Sequence, residues 1–166
     1  RRQRQMCIRD SHITPLGPVL LCTSTQGLAG IWFDGQQHHP AKERVAGWSD
    51  EPGHPVLRDA ARQLDAWFEG RLTAFDLPLD LSAGTAFQQQ VWHALLRIPR
   101  GRTGSYRELA LNIGRPQAVR AVGAAVGRNP LSIVVPCHRV LGSDGSLTGY
   151  AGGLDRKRAL LRLEAD

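Results

Sequence analysis

This chain of 166 residues has few cysteines (three), one methionine and, among its 21 basic side chains, few lysines. Cys7, Cys22 and Cys137 form an odd, sparse set, which argues against a disulfide scaffold and for a reducing compartment. No CxxC or HxxxH spacing joins His38 and His39 to Cys7 or Cys22, so no metal site is expected. No GxGxxG or P-loop lysine is present, so no nucleotide cofactor is expected either. No apolar run approaches the ~18–20 residues of a membrane span, and no leader with a charged and an apolar region opens the chain. What remains, 42% hydrophobic and 22% charged residues, suits one compact domain or two small subdomains.

Net charge is +6, and it is unevenly distributed. Of the basic residues only Lys42 and Lys157 are lysine; the others are arginine, which suits bidentate contact with phosphate. Residues 12–84 hold five basic and nine acidic groups, whereas residues 85–166 hold twelve basic and five acidic ones. An acidic first half joined to a basic second half directs a polyanion to the second half. Residues 1–11, RRQRQMCIRDS, show neither helical nor strand period and are set aside as a leader or disordered arm.

From Ile13 to Phe33 the pattern predicts strands, broken by turns at Thr14–Gly17 and Gln26–Gly27. Residues 36–55, rich in proline, glycine and histidine, predict a loop. Apolar positions 57, 60, 61, 64, 67 and 68 predict a helix ended by Gly70. Phe75, Leu77, Leu79 and Leu81 alternate with polar residues and Pro78, which predicts an edge strand or extended linker.

The second half changes character. Thr85–Gln88 and Ser105–Glu108 have the spacing of capping boxes, each opening a helix. Pro116 predicts the first position of a further helix running to about Gly127, and the short turn before it makes a helix-turn-helix candidate. In that helix Val119, Val122 and Val126 fall on one face and are expected in the core. Arg120, Gly123, Ala124 and Gly127 form a second strip, poor in side chain and carrying one long cation. Each mid-helix glycine costs about 1 kcal/mol relative to alanine, so something requires a close approach. Tight packing against another helix explains that, and so does approach to a narrow nucleic-acid groove with Arg120 reaching inward.

Leu131–Val135 predicts a buried extended segment leading into Pro136-Cys137-His138-Arg139-Val140. A cysteine behind an apolar run is commonly an inert core thiol. Here an imidazole and a guanidinium follow at once, and both favour the thiolate, the nucleophilic form. Gly149-Tyr150-Ala151-Gly152-Gly153 predicts a glycine-rich loop that could cradle a phosphate, although it has neither GxGxxG nor a P-loop lysine, or equally wall a pocket where backbone groups contact a flat ligand. Asp155 is expected to cap a last helix with Leu160, Leu161 and Leu163 inward; Glu164 leans to the same side and reads either as a near-terminal surface carboxylate or as the group that orients His138.

The Pro-Cys-His-Arg-Val run, Tyr150-Ala-Gly-Gly153 and the helix-turn-helix together resemble the O6-alkylguanine–DNA alkyltransferases over about residues 12–165. The resemblance implies a mixed α/β fold in two parts. Residues 12–82 would form a ribonuclease H-like subdomain with a small antiparallel sheet. Residues 83–166 would form a helical, winged-helix-like subdomain with the helix-turn-helix and the active site. It also implies a DNA repair enzyme that moves an alkyl group from O6 of guanine, and also from O4 of thymine, irreversibly to Cys137. By the same resemblance His138, backed by Glu164, would take the thiol proton through a water. Arg120 would fill the space of a flipped nucleotide, Tyr106 would help rotate it, and Gly123 and Ala124 would let the helix approach the minor groove. Asn129 would hold the turn joining that helix to the active-site loop, while Pro136, Val140, Tyr150, Ala151 and Gly152 would line the guanine pocket. Ala151 stands where some relatives carry serine, which bears on the width of that pocket. The expected partner is double-stranded DNA containing O6-alkylguanine, met by a monomer in a bacterial cytoplasm or another reducing compartment holding DNA, with no membrane partner and no cofactor. Two other classes fit the residues: a thiol hydrolase using Cys137, His138 and Glu164, and a transcription factor in which Cys137 is structural.

Overall fold

The computed structural model describes residues 7–165, and these divide between Leu81 and Ser82 into two compact units of mixed α/β structure. The N-terminal unit is built on strands β1 (Ile8–Thr14), β2 (Gly17–Thr23) and β3 (Leu28–Phe33). It adds a short helix α1 (Lys42–Ala46), a two-residue strand β4 (Ser49–Asp50) and helix α2 (Pro55–Phe68). The sheet order is β3-β2-β1-β4, with the first three strands antiparallel and β4 parallel to β1. Thr14 makes the β1–β2 turn tight: its hydroxyl donates to the Gly17 carbonyl at 2.7 Å and accepts from the Leu16 amide at 3.1 Å.

Two expectations change here. Residues 8–11, set aside with the leader, are strand, while residues 1–6 lie outside the described residues. Residues 36–55, read as loop, contain α1 and β4. Ile8–Ser11 pair with Leu20–Thr23 of β2, and Ile8 and Arg9 also with Ser49 and Asp50, ladders that neither segment's own pattern announces.

Helix α2 forms where the apolar spacing places it. Pro55 sits in its first turn, the His54 ring accepts from the Val56 amide at 3.2 Å, and Leu57, Ala60, Leu64 and Trp67 are buried. Buried Gln63 on the same helix exchanges two 2.9 Å hydrogen bonds with the backbone of Asp76. They pin the extended segment that follows α2. That segment touches the sheet at one bridge, Leu28 to Leu79, where the Leu28 amide donates to Pro78 O at 2.7 Å and its carbonyl accepts from Asp80 N at 2.8 Å. Pro78 contributes only an acceptor, which is all this position requires.

The C-terminal unit holds α3 (Ala86–Leu95), β5 (Gly104–Ser105), α4 (Tyr106–Asn112) and α5 (Val119–Gly127). A single 3-10 turn (Cys137–Arg139), β6 (Val140–Leu141) and α6 (Leu154–Ala165) complete it. β5 and β6 pair in parallel. No helix among the described residues is long and apolar enough to cross a membrane.

The bridge at Leu28 depends on its neighbour. Gly27 has φ +151°, and a Cβ added there would lie 2.7 Å from the backbone carbon and oxygen of Pro78. Pro78 O cannot retreat without losing the Leu28 hydrogen bond. Gly27→Ala is therefore expected to destabilise the protein by about 1–3 kcal/mol, read as a lower urea midpoint at unchanged slope.

Candidate active site

Helix α3 starts with the expected capping box: Thr85 accepts from Gln88 N, and the Gln88 side chain accepts from Thr85 N. Its Trp92 indole donates to the Ala125 carbonyl at 2.8 Å, which ties α3 to the end of α5. Ser105 caps α4 by accepting from Glu108 N at 3.1 Å. Helix α5 begins at Val119, three residues after Pro116, because Arg115 to Ala118 closes a turn of its own (Ala118 N to Arg115 O, 2.9 Å). Val119 is thus the first helical residue and is 36% exposed; Val122, Ala125 and Val126 carry the buried face instead.

The other face of α5 is as smooth as the sequence implies. Arg120 and Ala124 are exposed, and Gly123 and Gly127 are half-buried. A Cβ on Gly123 would meet the Tyr106 ring at an ordinary 3.8 Å, and one on Gly127 would meet nothing within 4 Å. Packing within the described structure therefore does not require these glycines. Of the two explanations for the strip, tight helix packing loses its support.

The segment after α5 turns rather than extends. Asn129, buried, uses one amide to set the bend: Nδ2 donates to Val135 O at 2.7 Å and to Cys137 Sγ at 3.1 Å, while Oδ1 accepts from Leu131 N at 2.9 Å. Val135 N closes back on Leu131 O at 2.9 Å. The extended segment expected over Leu131–Val135 is buried as expected but is a turn, and its branched residues serve burial rather than a ladder. Ile133 pays conformationally, with φ +74°, a left-handed setting that costs a β-branched residue about 1–3 kcal/mol.

This turn delivers Cys137 onto the 3-10 turn, buried at 5% exposure. Burial pushes its thiol up to about 11, against the Asn129 hydrogen bond and the charge of Lys157, which favour the thiolate. His138 is fully buried, with Nε2 3.1 Å from Glu164 Oε2. Burial holds the imidazole below its usual range although Glu164 pulls the other way, so it is neutral at pH 7. Burial alone would raise the Glu164 carboxyl, but hydrogen bonds from His138 and Arg139 outweigh it and bring it down to about 2.

Arg139 differs from expectation. Its guanidinium does not serve the sulfur: Nε donates to both Glu164 oxygens at 2.9 and 3.0 Å, and Nη1 donates to Ile98 O at 2.6 Å. The cation whose charge favours the thiolate is Lys157, which no motif marks. Lys157 and Glu164 lie seven residues apart on one face of α6, with Leu160 between them, and all three are buried. That spacing, in a chain with one other lysine, was the available signal. Leu161 and Leu163, expected inward, are half-buried, and Asp155 lies inside the first turn rather than capping it.

The loop between β6 and α6 closes the site. Lys157 Nζ donates to the carbonyls of Thr148 at 3.2 Å and Gly149 at 3.4 Å, and Arg156 donates to Gly152 O at 3.1 Å. Thr148 in turn donates to the Tyr106 hydroxyl at 3.0 Å. The Tyr150 hydroxyl is buried, and burial raises it well above its ordinary range; Cys137 adds to that, and a hydrogen bond with Ser132 opposes it. Pro136, Val140 and Gly152 are buried and Ala151 is half-buried. The structure therefore brings Cys137, Asn129, His138, Glu164 and Tyr150 together, joins Tyr106 to the loop, and leaves Arg120, Gly123 and Ala124 on the outer side of α5. Among the described residues no group of three or more His, Cys, Asp or Glu side chains could hold a metal ion.

Residues 12–81 match the family model described as 6-O-methylguanine DNA methyltransferase, ribonuclease-like domain, and residues 86–166 match the DNA binding domain of the same family. A methylated-DNA–protein-cysteine methyltransferase of Methanosarcina barkeri is 49% identical over 154 residues, covering 91% of this chain and 92% of its own. The Mycobacterium bovis protein of that name is 50% identical over 151 residues, covering 91% and 88%. Among solved structures, Mycobacterium tuberculosis O6-methylguanine methyltransferase superposes with a TM-score of 0.85 at 48% identity, covering 96% of this chain and 93% of its own. Mycobacterium tuberculosis OGT in complex with DNA gives 0.85 at 47% identity, covering 95% and 92%. With both units matched and relatives near half identical along nearly the whole length, the chain belongs to the 6-O-methylguanine DNA methyltransferase family.

Proposed function

We propose that this protein repairs DNA by moving an alkyl group from O6 of guanine in a duplex onto its own Cys137. The observation that carries the reading is the setting of that thiol: buried, accepting a hydrogen bond from Asn129, and followed at once by a buried histidine against an ionised glutamate.

The Cys137 sulfur attacks the alkyl carbon, the S–C bond forms, and the C–O6 bond breaks with its electron pair passing to guanine. The thiol proton leaves through His138, reached by a water, and guanine takes up a proton at N1. Glu164 orients His138 and stabilises its protonated form. Atoms and electrons balance without a metal or nucleotide cofactor. Tyr106 accepts from Thr148, so its own hydroxyl proton is available to the departing guanine oxygen. A backbone amide near Ala151 supplies a second donor. The product thioether resists hydrolysis, so each molecule acts once, and O4 of thymine offers the same kind of alkyl carbon.

An alkyl carbon on O6 is inaccessible in a stacked duplex, so the base must leave the helix at a cost of a few kcal/mol. The smooth face of α5 suits a minor-groove approach, with Gly123 and Ala124 permitting contact and Arg120 occupying the vacated space. Pro136, Val140, Tyr150, Ala151 and Gly152 form the guanine pocket, and Asn129 keeps that pocket in register with α5. The protein meets alkylated double-stranded DNA as a monomer in a reducing compartment.

Incubation with an oligonucleotide carrying one O6-methylguanine is expected to add a single methyl group to Cys137, read by intact and peptide mass; Cys137→Ala should gain none, and an unmodified wild-type protein would sink the reading. Arg120→Ala is expected to slow transfer from duplex DNA by about tenfold or more while leaving the reaction with free O6-methylguanine nearly unchanged. Equal slowing of both, measured as single-turnover rates, would remove Arg120 from base flipping.

A further inference from the structure

Helix α6 turns two charged side chains into the protein, Lys157 at 0% and Glu164 at 5% exposure. The Glu164 charge is met by His138 and Arg139. The Lys157 charge is not met in that way. Among the described residues it has no carboxylate partner; its Nζ reaches two neutral carbonyls, those of Thr148 and Gly149. An ammonium buried without an anion costs several kcal/mol, and two carbonyl dipoles offset only part of that. Accordingly burial lowers the Lys157 pKa, and the one group that acts in the opposite direction is Cys137.

A buried cation with no carboxylate partner among the described residues sits on α6, the helix packed against the 3-10 turn that carries Cys137, whose sulfur must become an anion to react. On the reading proposed above, we propose that Lys157 is a positioning residue of alkyl transfer: it holds the pocket loop by the carbonyls of Thr148 and Gly149 and supplies the fixed positive charge against which the Cys137 thiolate forms. The neighbours on each side leave this role to it. Arg139, adjacent in sequence, is committed to Glu164 and Ile98 O. Burial holds the His138 imidazole below its ordinary range and the Tyr150 phenol above its own, so neither brings a positive charge to the site at neutral pH. Asn129 contributes a dipole from the turn after α5. Of the charged groups packed about the site, Lys157 is therefore the cation whose charge favours the Cys137 thiolate.

The two parts of the role are connected. The carbonyls that Lys157 holds belong to the loop carrying Tyr150, and Thr148 of that loop donates to Tyr106. Arg156 holds the same loop independently at Gly152 O, so removal of the lysine charge does not by itself release the loop. Once the sulfur is alkylated it can no longer be an anion, and Lys157 loses the charge it was placed to meet.

The test separates charge from clamp. K157Q removes the charge but keeps an amide able to donate to the two carbonyls, K157M removes both at similar length, and K157R keeps the charge in a different shape. In the first arm iodoacetamide captures Cys137 across a pH series, with peptide mass as the readout and no DNA present. The thiol of K157Q and K157M is expected to titrate about one unit or more higher than wild type, a tenfold loss of thiolate at neutral pH, and K157R to titrate close to wild type. In the second arm the single-turnover transfer rate from O6-methylguanine duplex is expected to fall by the same factor at neutral pH and to recover as pH rises. A charge-removing variant whose pH profile overlays that of wild type would overturn the inference, however slow the variant is. The first arm judges Lys157 even if wild type transfers no methyl group, which would instead overturn the proposed reaction.

Discussion

Burying Glu164 as an anion is unfavourable unless donors meet both of its oxygens, and the C-terminal unit is arranged so that they do. Arg139 Nε spans the two oxygens, His138 Nε2 lies 3.1 Å from one of them, and the remaining guanidinium edge reaches Ile98 O. One carboxylate thus joins α6, the turn that carries the nucleophile, and the segment leaving α3. It also fixes which way the histidine beside Cys137 faces. Because the folded-state pKa is held below its ordinary value, the stability this arrangement contributes is full above the ordinary glutamate range. It is lost as pH falls from that range toward about 2.

A second constraint is the Asn129 amide. Its donors and acceptor reach Leu131, Val135 and Cys137, so one side chain determines the path from the end of α5 to the sulfur. The left-handed setting of Ile133 follows from this: a turn so short, closed on a buried amide, leaves that residue no relaxed conformation. The thiol is thereby presented in a dry interior. Dryness disfavours its ionisation, and the local cation and donors oppose that effect.

Much of this was legible in the residues. The period of α2, the Thr85 capping box, the smooth strip on α5 and the inward lean of Glu164 all follow from spacing and side-chain type, and the structure has each. The misreadings share a cause, which is that local pattern does not report long-range partners. Leu131–Val135 has the composition of a strand, yet Asn129 bends it. Ile8–Ser11 has no clear period, yet β2 and β4 pair with it. Val119 has the spacing of a core residue, yet the helix begins there and leaves it open. Arg139 follows Cys137 closely in sequence, yet its partner is 25 residues away. Lys157 was hidden because a lysine on a helix is ordinarily a solvated one.

If the Glu164 carboxylate organises the site, its own titration tests that most directly. Protein labelled with 13C at the glutamate carboxyl, with the Glu164 signal identified by its absence in Glu164→Gln, can be followed by NMR from neutral to acid pH. The account predicts that Glu164 stays ionised until pH approaches about 2, with the His138 ring shifting in step. A midpoint in the ordinary glutamate range of about 4–5 would contradict it, because a carboxylate that titrates like an exposed one is not holding His138 and Arg139 in place.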